Sequence, residues 1–359
     1  MSKEYTALGL MSGTSGDGVD ASIIQSDGQN KYKVILDKYF EYDSDIYKNI
    51  YKLKEKINNS KDLKILSKEI IELEKKITLF HAKIFIDLSH EKVDLLGFHG
   101  QTIFHNAEEK ISKQLGDGKL LSTLTKKNVV YNFRENDLKN GGQGAPLAPI
   151  FHKLLVDNKK IDLPVTILNI GGIANITSVQ KGNKIYSSDI GPGNCLIDKW
   201  IRLNSDKKYD KNGSVAKAGK INKIILNQSL ENFYESDISK KRSYDIKDFD
   251  LSFVRGLSLE DGAATLTEFT ASILSTKKID NKAYICGGGR KNLFLLDSIR
   301  KKISSEIKLI DELGIDGDFV ESQAFAYLAI RSYLGLSISF PETTGANKAC
   351  NGGIIAEAK

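Results

Sequence analysis

Apolar positions recur along the chain in two patterns. Leu63, Leu66, Ile70, Leu73, Ile77, Phe80 and Ile84 return at steps of three and four, with Lys and Glu between them. That spacing lines one face of an α-helix and predicts helix over 44–90, with Ser60 or Asp62 as its cap. The face would pack on its own domain; as a coiled-coil dimer seam it spans only about three heptads. Elsewhere short apolar runs end in glycine or a polar cluster, at 93–97, 128–133, 165–170, 184–188 and 282–286. These predict buried strands. Helical spacing returns at 259–274, where Leu266, Phe269 and Ile273 share a face, and at 321–334. Strands alternating with helices predict an α/β protein with a largely mixed sheet.

One arrangement occurs twice. Residues 5–26 read as a β-hairpin, with apolar runs at 5–10 and 19–24 around the turn SGTSGDG. Residues 168–179, LNIGGIANITSV, repeat strand, glycine turn and strand. Two such hairpins, one per half, predict two related domains. The length of 359 residues agrees, since single cores stop growing at about 250–300. No low-complexity linker is present, so the crossing is expected at 134–145, where GGQG interrupts regular structure. The expected domains are 1–135 with 345–359, and 136–344.

Charge and cysteine content narrow the class. The net charge of +6 comes from 52 basic and 46 acidic residues, mostly lysines with acids between them. This describes a solvated surface and argues against a nucleic-acid partner. Three cysteines far apart, with no CxxC, argue against a disulfide framework or zinc site and for a reducing compartment. The histidines His81, His90, His99, His105 and His152 show neither HxxxH nor HExxH. The first apolar run is too short for a signal peptide, and no stretch approaches the ~18 apolar residues of a membrane span. The expected setting is the cytoplasm, with no membrane partner.

Glycine clusters carry the candidate chemistry. Ser12, Gly13, Thr14, Ser15, Gly16, Asp17 and Gly18 can converge N–H and O–H donors on a phosphate, although no lysine follows them as in GxxxxGK[ST]. The alternative is a plain hairpin turn. Gly171 and Gly172 form a second cluster. Gly287, Gly288 and Gly289 form a third, after a strand and before a helical run near Asn292. That placement suits backbone contact with the adenine, ribose or α-phosphate of a nucleotide. Asp189 ends a strand in DIGPGN, where it is a candidate general base or a turn-forming Asp. His99, Gln101, Thr102 and Arg134 are groups that read sugar hydroxyls and carboxylates, with a satisfied core histidine as the other reading of His99.

Together these segments resemble the anhydro-N-acetylmuramic acid kinase family of bacterial cell-wall recycling. The match includes GLMSGTSGDGVDA at 9–21, GFHGQTIFH at 97–105, QLGDG at 114–118 and NFRENDLKNGGQGAPLAPIFH at 132–152. It continues through LNIGGIANIT at 168–177, DIGPGN at 189–194, LEDGAATLTEFTA at 259–271, CGGGRKN at 286–292 and ESQAFAYLA at 321–329.

The resemblance implies two ribonuclease-H-like domains around a central nucleotide cleft, as in actin, sugar kinases and Hsp70. It implies ATP-dependent hydrolytic opening and 6-phosphorylation of 1,6-anhydro-N-acetylmuramic acid, with Asp189 as the base. Gly13 to Asp20, including Val19 and Asp20, become the ATP phosphate loop. Gly191, Asn194, Arg134 and Glu321 join His99, Gln101 and Thr102 as expected sugar contacts. Mg²⁺ is expected, with Asp17 and Asp20 nominated as its neighbours, because Met11 and Asn169 stand where the superfamily often has Asp. A homodimer is also expected.

The chain departs from the family pattern in three places. Gly16 stands where a bulky residue is usual, which should loosen the turn, and Asn132 stands for Asp. The segment 236–249 replaces a Pro-rich stretch ending in Lys-Ser with an Arg; Arg242-Ser243 stands for Lys-Ser and Ile246 where the Arg would be. A kinase for another 1,6-anhydrosugar such as levoglucosan, or an inactive ATP-binding sugar sensor, are the alternatives.

Overall fold

The structure, a computed structural model, describes residues 3–88, 91–240 and 243–358. Contacts divide the chain into two units: Met1–Ile161 with Phe319–Lys359, and Asp162–Asp318.

The first unit opens with an antiparallel meander of β1 (Tyr5–Ser12), β2 (Gly18–Ser26) and β3 (Tyr32–Glu41). β4 (Leu95–Asn106) returns parallel to β1. β5 (Ile111–Leu115) folds back on the far end of β4, and β6 (Asn128–Tyr131) lies parallel to β4 on its near end. In the second unit β7 (Val165–Ile170), β8 (Ile173–Val179) and β9 (Ile185–Pro192) form another antiparallel meander. β10 (Lys282–Cys286) runs parallel to β7, and β11 (Glu306–Leu309) parallel to β10. The returning chain adds β12 (Ile354–Ala356) antiparallel to β6.

The orders β3-β2-β1-β4-β6 and β9-β8-β7-β10-β11 are the same arrangement: three strands up and down, then two parallel to the first. This is the ribonuclease-H-like sheet, present once in each unit. The echo between the two hairpins was its sequence trace.

Strand alternation sends Leu8 and Leu10 to one face of β1, where they join Ile50, Ile57 and Ile77 in the core. Gly9 faces the other way, beside Gly97 on β4, its register partner. A β-carbon on Gly9 would lie 2.0 Å from the Ser322 carbonyl, and one on Gly97 would lie 2.3 Å from that of Phe325. The two glycines thus form the seat on which the Val320–Tyr333 helix rests.

Two expectations are corrected. Helix does not run unbroken over 44–90: it forms Ser44–Lys56, Asp62–Ile65 and Ser67–Asp87. Neither Ser60 nor Asp62 caps the long helix. The Asp62 carboxylate instead accepts the Asn58 and Asn59 N–H groups, a local bonding pattern that competes with helix.

The domain crossings also differ, lying at 161/162 and 318/319 rather than 135/136 and 344/345. The GGQG segment is no linker, because buried Asp137 ties it into the first unit. Its carboxylate accepts Gly144 N–H at 2.7 Å and Thr344 Oγ1–H at 2.6 Å. Among the described residues no helix is long and apolar enough to cross a membrane.

Candidate active site

The first glycine turn joins β1 to β2, and donors from its surroundings hold its carbonyls. Gln101 Nε2 donates to Gly13 O at 3.0 Å, Lys54 Nζ to Thr14 O at 3.0 Å, and Tyr51 O–H to Ser15 O at 2.7 Å. Tyr42 N–H donates to Asp17 O at 2.9 Å. In a trans peptide the N–H points opposite to the C=O. Carbonyls tied back therefore turn the Thr14 and Ser15 N–H groups outward, where both residues are exposed. Gly16 has a left-handed φ of 62°, which suits glycine, its N–H donates to Gly13 O at 3.1 Å, and Ile50 lies close beneath it. Val19 belongs to the core, and Gly18 admits Tyr39 and the Phe40 carbonyl.

Behind the turn, His81 is fully buried, and burial pushes its imidazole down to about 4. Its Nδ1 faces the Ile77 carbonyl at 2.7 Å, an acceptor, so Nδ1 holds the proton. Nε2 is left to accept from Ser12 Oγ at 3.5 Å, while Tyr42 O–H donates to Ser12 at 2.7 Å. The chain of bonds fixes the first residue of the loop.

Of the expected sugar contacts in this unit, His99 and Arg134 meet. Arg134 donates to His99 Nε2 at 3.0 Å and to Gly144 O at 2.8 Å. His99 Nδ1 donates to Gly100 O at 2.7 Å, and its ring lies 4.5 Å from that of Phe325. Burial, with the guanidinium beside it, holds this imidazole neutral, well below its ordinary range. With both nitrogens engaged His99 positions Arg134. Gln101, fully buried, serves the glycine turn, and Thr102 Oγ1 accepts from Gln114. Glu321 lies in the first turn of the Val320–Tyr333 helix, one turn before Phe325. Asn132 takes a left-handed φ of 56°, which Asn tolerates, and its amide donates to Glu135.

In the second unit the two other glycine clusters and DIGPGN converge at the ends of β7, β9 and β10. Gly193 and Asn194 donate N–H to the Gly171 and Gly172 turn, at 2.9 Å to Gly172 O and 2.8 Å to Gly171 O. Gly287 has φ 80° and leaves no room for a β-carbon, which would lie 2.5 Å from Asn169 Oδ1. Gly288 lies open, with the Asn194 amide 3.9 Å from where its β-carbon would be. Gly289 packs on Ile170, and Gly191 on Ile273.

Asp189 is nearly buried, at 6% exposure, beside a register slip between β8 and β9. Such bulges re-aim neighbouring side chains. The Tyr244 N–H donates to its Oδ2 at 2.9 Å. Burial and the Asp189 charge together push the Tyr244 phenol up to about 12. The segment departing from the family pattern therefore reaches the candidate base. Arg242 lies outside the described residues, as does His90.

Several positions escaped the sequence reading. Lys54, Tyr51 and Tyr42 bond to backbone or to Ser12 and leave no motif. Arg290 follows the third glycine cluster. Its guanidinium meets Asp311 at 2.8 and 3.0 Å, Asp316 at 3.2 Å, Asp318 at 2.5 Å and the Gly287 carbonyl at 3.2 Å. A basic residue beside CGGG followed by three aspartates within 311–318 was the available signal.

The family profile for anhydro-N-acetylmuramic acid kinase matches residues 5–358. This chain belongs to the anhydro-N-acetylmuramic acid kinase family. The family's enzyme of that name from Pelagibacter ubique (strain HTCC1062) is 59% identical over 373 aligned positions, covering 99% of this chain and 100% of its own. The one from Agrobacterium fabrum (strain C58 / ATCC 33970) is 36% identical, covering 100% of both. Among solved structures, component A of (R)-2-hydroxyglutaryl-CoA dehydratase from Acidaminococcus fermentans aligns over 92% of this chain and 99% of its own, at 13% identity and a TM-score of 0.43.

Proposed function

We propose that this chain uses ATP and water to convert 1,6-anhydro-N-acetylmuramic acid to N-acetylmuramic acid 6-phosphate and ADP, in peptidoglycan recycling. The observation that carries the reading is the end-to-end family match with DIGPGN intact. Its Asp189 supports it, standing beside a strand bulge with one oxygen fixed by a backbone donor.

The Asp189 carboxylate takes a proton from water as the water oxygen bonds to C1. The C1–O6 bond breaks with its electron pair going to O6. O6 then bonds to the γ-phosphorus and ADP leaves. In the first unit the outward N–H groups of Thr14 and Ser15 suit phosphate oxygens; in the second the glycine clusters at the ends of β7 and β10 expose backbone of the kind that binds nucleotides. Arg134, aimed by His99, and Glu321 orient the sugar.

Among the described residues no three His, Cys, Asp or Glu side chains gather as a metal cage. In phosphoryl transfer one or two carboxylates and the nucleotide's own phosphates hold Mg²⁺. Asp17, whose Oδ1 accepts from Ser15 Oγ at 2.5 Å, and Asp20, which with burial and Asp17 pushes the Tyr39 phenol up, are the carboxylates that would do so. The ion would supply charge neutralisation at the β- and γ-phosphates.

The test is ADP release by the wild type and Asp189→Asn with anhydromuramic acid and with levoglucosan. Asn keeps an acceptor for Tyr244 N–H, so folding should persist while turnover falls by about 10²–10⁴. Undiminished turnover would remove Asp189 from its role. Stimulation by levoglucosan alone would change the sugar, and by neither would end the kinase reading.

A further inference from the structure

The first glycine turn lacks the lysine that follows the glycines in GxxxxGK[ST], yet a lysine reaches it from another element. Tyr51 and Lys54 stand three residues apart in the Ser44–Lys56 helix, and so on one face. They donate to neighbouring carbonyls, those of Ser15 and Thr14. Lys54 is 8% exposed, and a lysine is rarely that buried. Its ammonium bonds to the Thr14 carbonyl from the inner side of the turn. The other end of the same peptide, Ser15 N–H, faces out. A cation on the C=O polarises the peptide and makes that N–H a stronger donor. A β-carbon at Gly13 would meet nothing nearer than Ser15 Oγ at 3.8 Å, a hydroxyl that donates to Asp17 Oδ1, so the space beside Gly13 is open.

We propose that Lys54 is the cation of the phosphate loop. It is a positioning residue that fixes the Thr14–Ser15 peptide and places a unit of positive charge beneath it, favouring nucleoside di- and triphosphates over monophosphates. The proposal rests on the reading of this turn as the site of the ATP phosphates, so the test separates the two.

Titration calorimetry compares adenosine, AMP, ADP and a non-hydrolysable ATP analogue on the full chain. In Lys54→Met, Kd for ADP and the ATP analogue should rise about tenfold or more, the size of one charge-assisted hydrogen bond, with adenosine unchanged and AMP least affected of the phosphates. Lys54→Arg should recover most of the loss.

Gly13→Val tests the loop itself. Its backbone is not left-handed and the added atoms enter open space, so the fold tolerates it while phosphate access closes. Loss in Gly13→Val with wild-type affinity in Lys54→Met overturns the Lys54 proposal alone. Wild-type ATP affinity in Gly13→Val overturns the loop reading and the proposal together. An equal loss for all four ligands in Lys54→Met reduces Lys54 to a structural part and also overturns it. If Lys54→Met does not fold, Lys54→Gln keeps a donor for Thr14 without the charge and is judged by the same outcomes.

Discussion

An imidazole with both nitrogens committed acts only through its partners, and His99 is such a residue. His99→Phe would keep the ring on Phe325 but leave the Gly100 carbonyl and an Arg134 N–H without their bonds. It should destabilise the fold by about 1–3 kcal/mol in urea unfolding, and a cost near zero would show that those bonds carry nothing. The glycine clusters and Asp189 stood out in the sequence because the chemistry proposed for them lies in residue type and order. Lys54 and Tyr51 were not, since a side chain that bonds a distant backbone carbonyl needs no particular neighbours. Asp137 was hidden for the same reason: it reads as one acid in a helical turn, and only the return of Thr344 shows what it holds.

Among elements, the hairpins, the buried β7 and the helices at 259–274 and 320–333 were legible because each is buried over most of its length and so is written in apolar and small residues. β3 was missed: it borders the sheet, and its residues are half-buried or exposed throughout. The break after Lys56 was missed although the apolar spacing lapses between Ile57 and Leu63, where Asn58 and Asn59 bond to Asp62 locally. The seat of Gly9 and Gly97 gives the sharpest prediction at this scale. Gly9→Ala drives a methyl into the Ser322 carbonyl and Ala326 N–H of the seated helix, at 2.0 and 2.6 Å. Overpacking of this kind should cost about 3 kcal/mol, against under about 1 kcal/mol for Gly13→Ala in the same hairpin. Equal urea midpoints for the two variants would refute the seat.

At the scale of the molecule, the repeated hairpin signalled the repeated sheet because both begin with the same meander. The crossings were unreadable in GGQG because a loop anchored by a buried carboxylate looks like a linker until its partners are known. The two units also differ in acid response. All five histidines precede residue 162, and His81 and His152 are pushed down to about 4 by burial, with His99 well below its ordinary value. Each is neutral when folded and protonates more readily when unfolded. For His81 and His152 that contribution is therefore intact above 6.5 and is lost as the pH falls from there towards about 4, at roughly 1.4 kcal/mol per pH unit for each imidazole, and His99 acts in the same direction. Trp200, the single tryptophan, is buried in the second unit and reports on it alone. At pH 5 urea should unfold part of the circular dichroism signal before Trp200 fluorescence responds, and coincident transitions there would contradict this.

The glycine seat also sets an order of events during synthesis. Residues 162–318 are an uninterrupted stretch and can close their own core as they leave the ribosome. The first sheet emerges earlier but waits with its two glycines bare until the helix beginning at Val320 arrives, so the half that is made first is finished last.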